Sequence, residues 1–168
     1  MLSGGDRRSI GRAAEVADLV RRHPQGVFDL VKCLYDEDAR VSMRAADALE
    51  KVSRNPAISL QSHKTHLLNL LMETTQQELK WHLAVILPRL ELTTLECRHV
   101  AETLRSYLEE SSSIVRTFAM QGLADLTDQY PTLRPGVTDT IRVLTRTGTP
   151  AMRARGRKLL QKLDRDNG

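Results

Sequence analysis

Four segments of this 168-residue chain repeat one spacing of apolar and small residues. The segments begin at Val41, Leu79, Val115 and Met152, which are 38, 36 and 37 residues apart. Within each segment the apolar or small positions fall at offsets of 0, 4, 7, 8 and 11, which lie along one face of an α-helix. The pattern therefore predicts four amphipathic helices with equivalent surroundings. Their stripes are Val41, Ala45, Ala48, Leu49, Val52; Leu79, Leu83, Ile86, Leu87, Leu90; Val115, Ala119, Gly122, Leu123, Leu126; and Met152, Gly156, Leu159, Leu160, Leu163.

A second apolar helical segment precedes each of these stripes, so the repeating unit is a pair of helices. We call the preceding helix of each pair the A helix and the helix that carries the stripe the B helix. No segment has the alternating pattern of a strand, and a period of this length is typical of helical solenoids. The sequence predicts an all-α, right-handed α-solenoid of about four helix pairs, preceded by an N-terminal capping helix from Ser9 to His23.

Prolines mark most of the predicted boundaries between repeats. Pro24 follows the capping helix, Pro56 the first B helix and Pro131 the third. Because a proline disfavours helical backbone in the residue before it, we expect each of these helices to end there. The prediction is a single domain over residues 1–168, made of a cap and four repeats with these bounds: 1–23, 24–55, 56–92, 93–131 and 132–165.

Two helix ends are predicted in detail. Pro88 falls inside the second stripe, where it removes a hydrogen bond to Ala84 and should kink or end the second B helix. Thr93 and Glu96 have the spacing of a capping box, so the third A helix should begin at Thr93 or Thr94.

The repeats resemble the HEAT repeat and the allied armadillo-like class. In that family the second helix typically starts with an acidic residue five positions before a Val-Arg pair, as Glu110 precedes Val115-Arg116. The other repeats carry half of this signature each: Asp36 with Ser42, Thr74 with Lys80 and Thr147 with Arg153. The resemblance covers residues 24–164 and implies a solenoid, a fold that serves as scaffolds, as adaptors and in a few enzymes.

The composition of the chain argues against several classes of function and location. Aromatic residues make up only 4% of the chain, which leaves few surfaces on which bases could stack. Cys33 and Cys97 lack the spacing of a metal site or a disulfide scaffold, and no apolar run is long enough for a membrane span. These observations predict a cytoplasmic protein that is not bound to a membrane.

No motif of a catalytic site is present. The sequence lacks G-x-S-x-G, G-x-G-x-x-G and a phosphate-binding loop, and His63 with His66 has no evident third metal ligand. We therefore predict no enzymatic activity, no catalytic or metal-binding residues and no cofactor.

Positive charge is concentrated near the C-terminus. Residues 1–55, 56–133 and 134–168 have formal net charges of +1, −3 and +6. Equivalent positions of successive B helices should form rows on the concave face. The rows at offsets 3 and 10 lie together beside the stripe. They contain Arg44, Lys51, His82, Arg89, Arg155 and Lys162, interrupted by Phe118 and Asp125, while the row at offset 1 contains Ser42, Lys80, Arg116 and Arg153.

Trp81, the only tryptophan, lies at offset 2 and should point away from the stripe. A tryptophan on a polar side is a candidate anchor for a bound peptide, although Pro88 could instead cover it. The row at offset 1 is either a basic ladder that binds acidic side chains or phosphates, or it makes the bonds between repeats that are usual in the family. The rows at offsets 3 and 10 are either a binding face or an ordinary solvated flank.

The leading prediction is a non-catalytic scaffold that binds a peptide or protein of acidic character on its concave B-helix face. The residues predicted to bind this partner are Trp81, Arg44, Lys51, Arg89, Arg116, Arg155 and Lys162. Binding of a DNA or RNA backbone through the basic rows and the C-terminal helix is one alternative, and a structural role in a larger complex is another. Cations that pair with neighbouring acids would favour the scaffold, whereas one continuous positive groove would favour nucleic acid.

Overall fold

The computed structural model describes residues 12–165, and this part of the chain contains nine α-helices, short 3-10 turns and no β-strand. The fold is therefore all-α, as predicted. Ser9 and Ile10, where we expected the capping helix to begin, lie outside the described residues. After the first helix, A and B helices alternate. The helices are α1 (Ala13–Arg22), α2 (Val27–Lys32), α3 (Ala39–Ser53), α4 (Lys64–Glu73), α5 (Gln77–Ile86), α6 (Thr94–Tyr107), α7 (Ser113–Gln129), α8 (Arg134–Thr147) and α9 (Pro150–Arg165).

Side-chain caps define several helix starts. Thr93 and Glu96 form the predicted capping box, each accepting a hydrogen bond from the other's backbone N–H. Ser112 caps α7 through Val115, and Asp38 caps α3 by accepting from the backbone N–H of Arg40. The Arg40 side chain also bonds to Asp38, and these bonds lower the pKa of that carboxyl to about 2. Such caps satisfy N–H groups that have no acceptor within the helix.

Pro88 ends the second B helix rather than kinking it. The α-helix α5 stops at Ile86, and the tighter 3-10 turn Leu87–Arg89 follows. The proline has no N–H for a hydrogen bond to Ala84, and its ring crowds that carbonyl. As a result Leu87 and Leu90, although part of the stripe, lie outside the α-helix while remaining buried.

The helices form two compact units, the first ending at Ile86 and the second beginning at Leu87. In the first unit, α1 and α5 both pack against α3, and the A helices α2 and α4 pack against their own B helices. In the second unit, α7 packs against α6, α8 and α9. The core of each unit consists mainly of aliphatic side chains, which come from the B-helix stripes and from the A helices.

The stripes are buried as the spacing predicts. Of the 20 stripe residues, 18 are buried, while Val41 and Leu160 are half-buried. Within residues 12–165, every helix lacks the length or the apolar character needed to cross a lipid bilayer.

Candidate partner-binding surface on the B helices

Two members of the predicted basic rows are not on the surface. The side chains of Arg44 and His82 are each about as inaccessible as a core leucine, with 1% relative exposure. Arg44 lies on α3, which has α1, α2 and α5 packed around it, so the flank that appears open on a single helix is covered in the fold. The prediction that Arg44 meets a partner at the surface is therefore wrong.

His82 belongs to a polar cluster between α3 and α5. Its Nδ1 donates a hydrogen bond of 2.7 Å to the carbonyl oxygen of Glu78, which fixes the ring. Its Nε2 lies 3.7 Å from a carboxylate oxygen of Asp47, which also bonds to the ammonium of Lys51. Burial raises the pKa of Asp47, but the nearby His82 ring and the ion pair with Lys51 outweigh burial and lower it overall.

We expect the cluster to make a pH-dependent contribution to the stability of the first unit. Because the folded-state pKa of Asp47 is lowered, its ionised form stabilises the fold above the unfolded pKa of about 4, and this stability is lost as the pH falls through the folded-state pKa. Asp47→Asn should therefore reduce the free energy of unfolding by about 1 kcal/mol at neutral pH and by progressively less in acid. Urea titrations at a series of pH values measure this, with the exposed Glu73→Gln as control. A deficit that stays constant from neutral pH into acid would contradict the assignment.

In the second unit, two cations of α9, Arg155 and Lys162, are bound to residues of α7. Arg155 donates a hydrogen bond of 2.6 Å to the side-chain oxygen of Gln121, and its guanidinium lies 5.4 Å from the centre of the Phe118 ring. The ammonium of Lys162 lies 2.7 Å from a carboxylate oxygen of Asp128 and 3.3 Å from one of Asp125. Burial lowers the pKa of Lys162, but the two carboxylates outweigh this and raise it. Both cations therefore help to hold α9 against α7.

Beside these bonds, a groove of about 360 Å³ lies between α7 and α9. Phe118 is half-buried in this groove, and Ile114 is a large apolar residue with 56% exposure. Arg155 and Lys158 add positive charge. The sequence interpretation missed Ile114, and it considered Lys158 only for the nucleic-acid alternative, as a cation of the C-terminal helix. An isoleucine one position before the stripe, on an otherwise polar flank, is the sequence signal that could have indicated this groove.

The remaining predicted binding residues have different surroundings. Trp81 is half-buried, and its ring centre lies 3.4 Å from that of His82. Arg89 is exposed on the 3-10 turn after α5, and Arg116 is half-buried on α7. In the first unit, Lys51 and Trp81 are linked through Asp47 and His82. In the second unit, Arg155 and Lys162 both contact residues of α7.

Uncharged side chains connect the starts of neighbouring B helices. They do so in repeats that carry only half of the family's acidic and basic signature. The hydroxyl of Ser42 donates a 3.0 Å hydrogen bond to the side-chain oxygen of Gln76, just before α5. The hydroxyls of Ser113 and Thr149 are 2.7 Å apart and join the starts of α7 and α9. Hydrogen bonds between uncharged groups therefore link these repeats.

Comparison with known proteins agrees with this arrangement of helix pairs. A family model described as a HEAT repeat domain matches residues 5–163, nearly the whole chain. Comparisons with curated proteins and with solved structures yield no significant match. HEAT repeats typically mediate protein interactions, and the fold is generally a non-catalytic scaffold. The stripe spacing, the alternating helices and this match together establish that the chain belongs to the HEAT-repeat family.

Proposed function

We propose that the chain is a non-catalytic scaffold that binds an acidic peptide segment of a partner protein on the B helices α7 and α9. The observation that carries this proposal is the groove between these helices, which combines an apolar lining with two cationic side chains. The bound segment inserts an apolar side chain beside Ile114 and Phe118. Its Asp or Glu residues face Arg155 and Lys158.

The apolar part of the groove supports a protein partner. Burying the exposed side chain of Ile114 yields roughly 1–2 kcal/mol, because apolar surface leaves water. Phe118 and the small residues Ala151 and Ala154 leave room for a side chain between the helices. A surface that binds only phosphates needs no such apolar site.

The pairing of charges also favours a protein over a nucleic-acid backbone. Lys51 bonds to Asp47, and Lys162 bonds to Asp125 and Asp128. Asp125 lies in the rows at offsets 3 and 10, and Asp47 and Asp128 lie beside them; these carboxylates repel phosphates and reduce the counterion release that drives binding to nucleic acid. Lys51 and Lys162 do not line the α7–α9 groove, where the exposed Lys158 faces the acidic side chains of the peptide.

Selection of a random peptide library on the immobilised full chain tests the proposal. We expect enrichment of peptides with one large apolar residue between acidic residues, and roughly micromolar affinity for synthetic copies. Ile114→Asp and Lys158→Glu should each weaken binding about tenfold, and both residues are exposed, so the fold is retained. Arg157→Glu is the matched control, because it makes the same charge change on the exposed surface of α9, outside the groove.

Two results would overturn the proposal. One is selection of peptides without acidic residues, and the other is unchanged affinity in both groove variants. A duplex DNA that binds, loses affinity steeply with added salt and fails to bind Lys158→Glu would establish the nucleic-acid alternative instead. Trp81→Ala in the same peptide assay tests whether the equivalent face of α5 also contributes.

A further inference from the structure

The guanidinium of Arg155, which lines the α7–α9 groove, is restrained by two residues of α7. Its Nη1 donates a hydrogen bond of 2.6 Å to the side-chain oxygen of Gln121. Its Cζ lies over the ring of Phe118, 5.4 Å from the ring centre, which is within the range of a cation–π contact. A hydrogen bond at one edge and an aromatic ring against one face together limit rotation of the guanidinium.

The side-chain amide of Gln121 has one orientation that satisfies its neighbours. Its nitrogen donates to both carboxylate oxygens of Asp125, at 2.9 and 3.0 Å. A carboxylate only accepts hydrogen bonds and a guanidinium only donates them, so the amide oxygen faces Arg155. Lys162 binds Asp125 in turn and offsets its negative charge. An amide suits this position because it donates at one end and accepts at the other.

The opposite edge of the Arg155 guanidinium is available to a ligand. Among the residues that the structure describes, no hydrogen-bond acceptor meets its Nε or its Nη2. The N–H groups of these two nitrogens are parallel and match the two oxygens of one carboxylate. Arg155 is half-buried, so hydrogen bonds to it are stronger than they would be in open water. Lys158, in contrast, is exposed and offers a flexible point charge.

We propose that Arg155 binds one carboxylate of the acidic partner side-on, through Nε and Nη2, and that Gln121 is the residue that positions it. This role rests on the proposed function and gives the groove its preference for an acidic side chain at one fixed place. Gln121 does not line the groove and acts through Arg155. Because the Phe118 ring lies against the same guanidinium, the bound carboxylate is adjacent to the apolar side chain that the partner inserts.

Nuclear magnetic resonance of the free chain tests the positioning without a ligand. A guanidinium that rotates freely about its Cζ–Nε bond gives averaged Nη signals, whereas a restrained one gives separate signals. We expect separate Nη signals for Arg155 at low temperature, and exchange between them about tenfold faster in Gln121→Met. Methionine has nearly the length of glutamine and makes neither hydrogen bond. Gln161→Met is the matched control, because Gln161 is exposed on α9 outside the groove.

A binding assay tests the selection for a carboxylate. The probe is a nine-residue synthetic peptide with a central phenylalanine between pairs of aspartates, and a matched peptide has asparagines in place of the aspartates. In fluorescence polarisation, Gln121→Met and Arg155→Lys should each weaken binding of the aspartate peptide about five- to tenfold. Binding of the asparagine peptide should change by less than about twofold, because an amide has only one oxygen to accept from the paired N–H groups. Lysine keeps the charge but not the paired donors, so Arg155→Lys distinguishes side-on binding from simple attraction.

The possible results distinguish failure of this positioning role from failure of the proposed function. Equal exchange rates in Gln121→Met and in the unsubstituted chain would show that Gln121 does not position Arg155. Undiminished affinity of Arg155→Lys for the aspartate peptide would refute side-on binding, and equal weakening of both peptides by Gln121→Met would show a merely structural role. In these cases the acidic peptide still binds, and the proposed function stands. If the unsubstituted chain binds neither peptide although Arg155 is restrained, the proposed function fails, and carboxylate binding by Arg155 fails with it.

Discussion

Leu83→Ala should lower the free energy of unfolding of the first unit by about 2–5 kcal/mol. Leu83 has 0% exposure at the middle of the α5 stripe, where α5 packs against α3. Alanine removes most of the side chain and leaves a cavity that the surrounding helices fill only in part. The lost burial and the cavity both favour the unfolded chain.

Urea denaturation followed by Trp81 fluorescence measures this loss, because the only tryptophan of the chain lies in the first unit. Met72→Ala is the matched control: Met72 is 51% exposed on α4, so its truncation should change stability by less than about 0.5 kcal/mol. A loss below about 1 kcal/mol for Leu83→Ala would show that α5 does not pack in this way.

Gly156→Ala should destabilise the second unit by about 1–2 kcal/mol, although alanine is the better helix former. A Cβ at this position would lie 2.0 Å from the hydroxyl oxygen of Thr145 and 3.2 Å from the terminal methyl of Met120. The Thr145 hydroxyl donates a 2.6 Å hydrogen bond to the Ile141 carbonyl, so it does not move away freely. The overlap therefore forces α9 away from α8.

Two further variants identify the overlap as the cause. Gly136→Ala on α8 places its Cβ in open space, so it should be neutral or stabilise by up to about 1 kcal/mol. Adding Thr145→Ala to Gly156→Ala should recover about half of the loss or more, because the two positions are in contact and their effects do not add. Chemical denaturation followed by circular dichroism measures all four chains. Equal stability of Gly156→Ala and the unsubstituted chain would contradict the predicted packing of α8 against α9.

Local signals account for most of the fold that we predicted. The capping box at Thr93 and the interruption at Pro88 depend on backbone groups within a few residues, and both appear where the sequence indicates. The stripe spacing depends only on the pitch of one helix, and 18 of the 20 residues that it places on the buried face are buried. These features need no knowledge of the neighbouring helices.

The sequence predicted the candidate surface less accurately than it predicted the fold. A helical wheel treats the flank of each B helix as open, yet Arg44 and His82 are buried because other helices pack against α3 and α5. The same wheel placed Phe118 as an interruption in a basic row. In the structure Phe118 lines the groove with Arg155 and Lys158, since α7 and α9 lie side by side. Contacts between helices, which no single wheel contains, decide both outcomes.

The stripe position at offset 4 separates what the sequence determined from what the tertiary structure decided. Ala45, Leu83, Ala119 and Gly156 occupy it in the four repeats, and the helical period alone predicted that all four face the core. The period does not specify the space at each position, which depends on how closely neighbouring helices approach. Gly156 meets Thr145 and Met120 with no room for a methyl group, whereas α5 accommodates a leucine. The sequence by itself determined the helices and their buried faces, because these follow from local hydrogen bonding and helical pitch. Only the tertiary structure decided which side chains fit there and which cations and grooves remain accessible, because these depend on distances between helices.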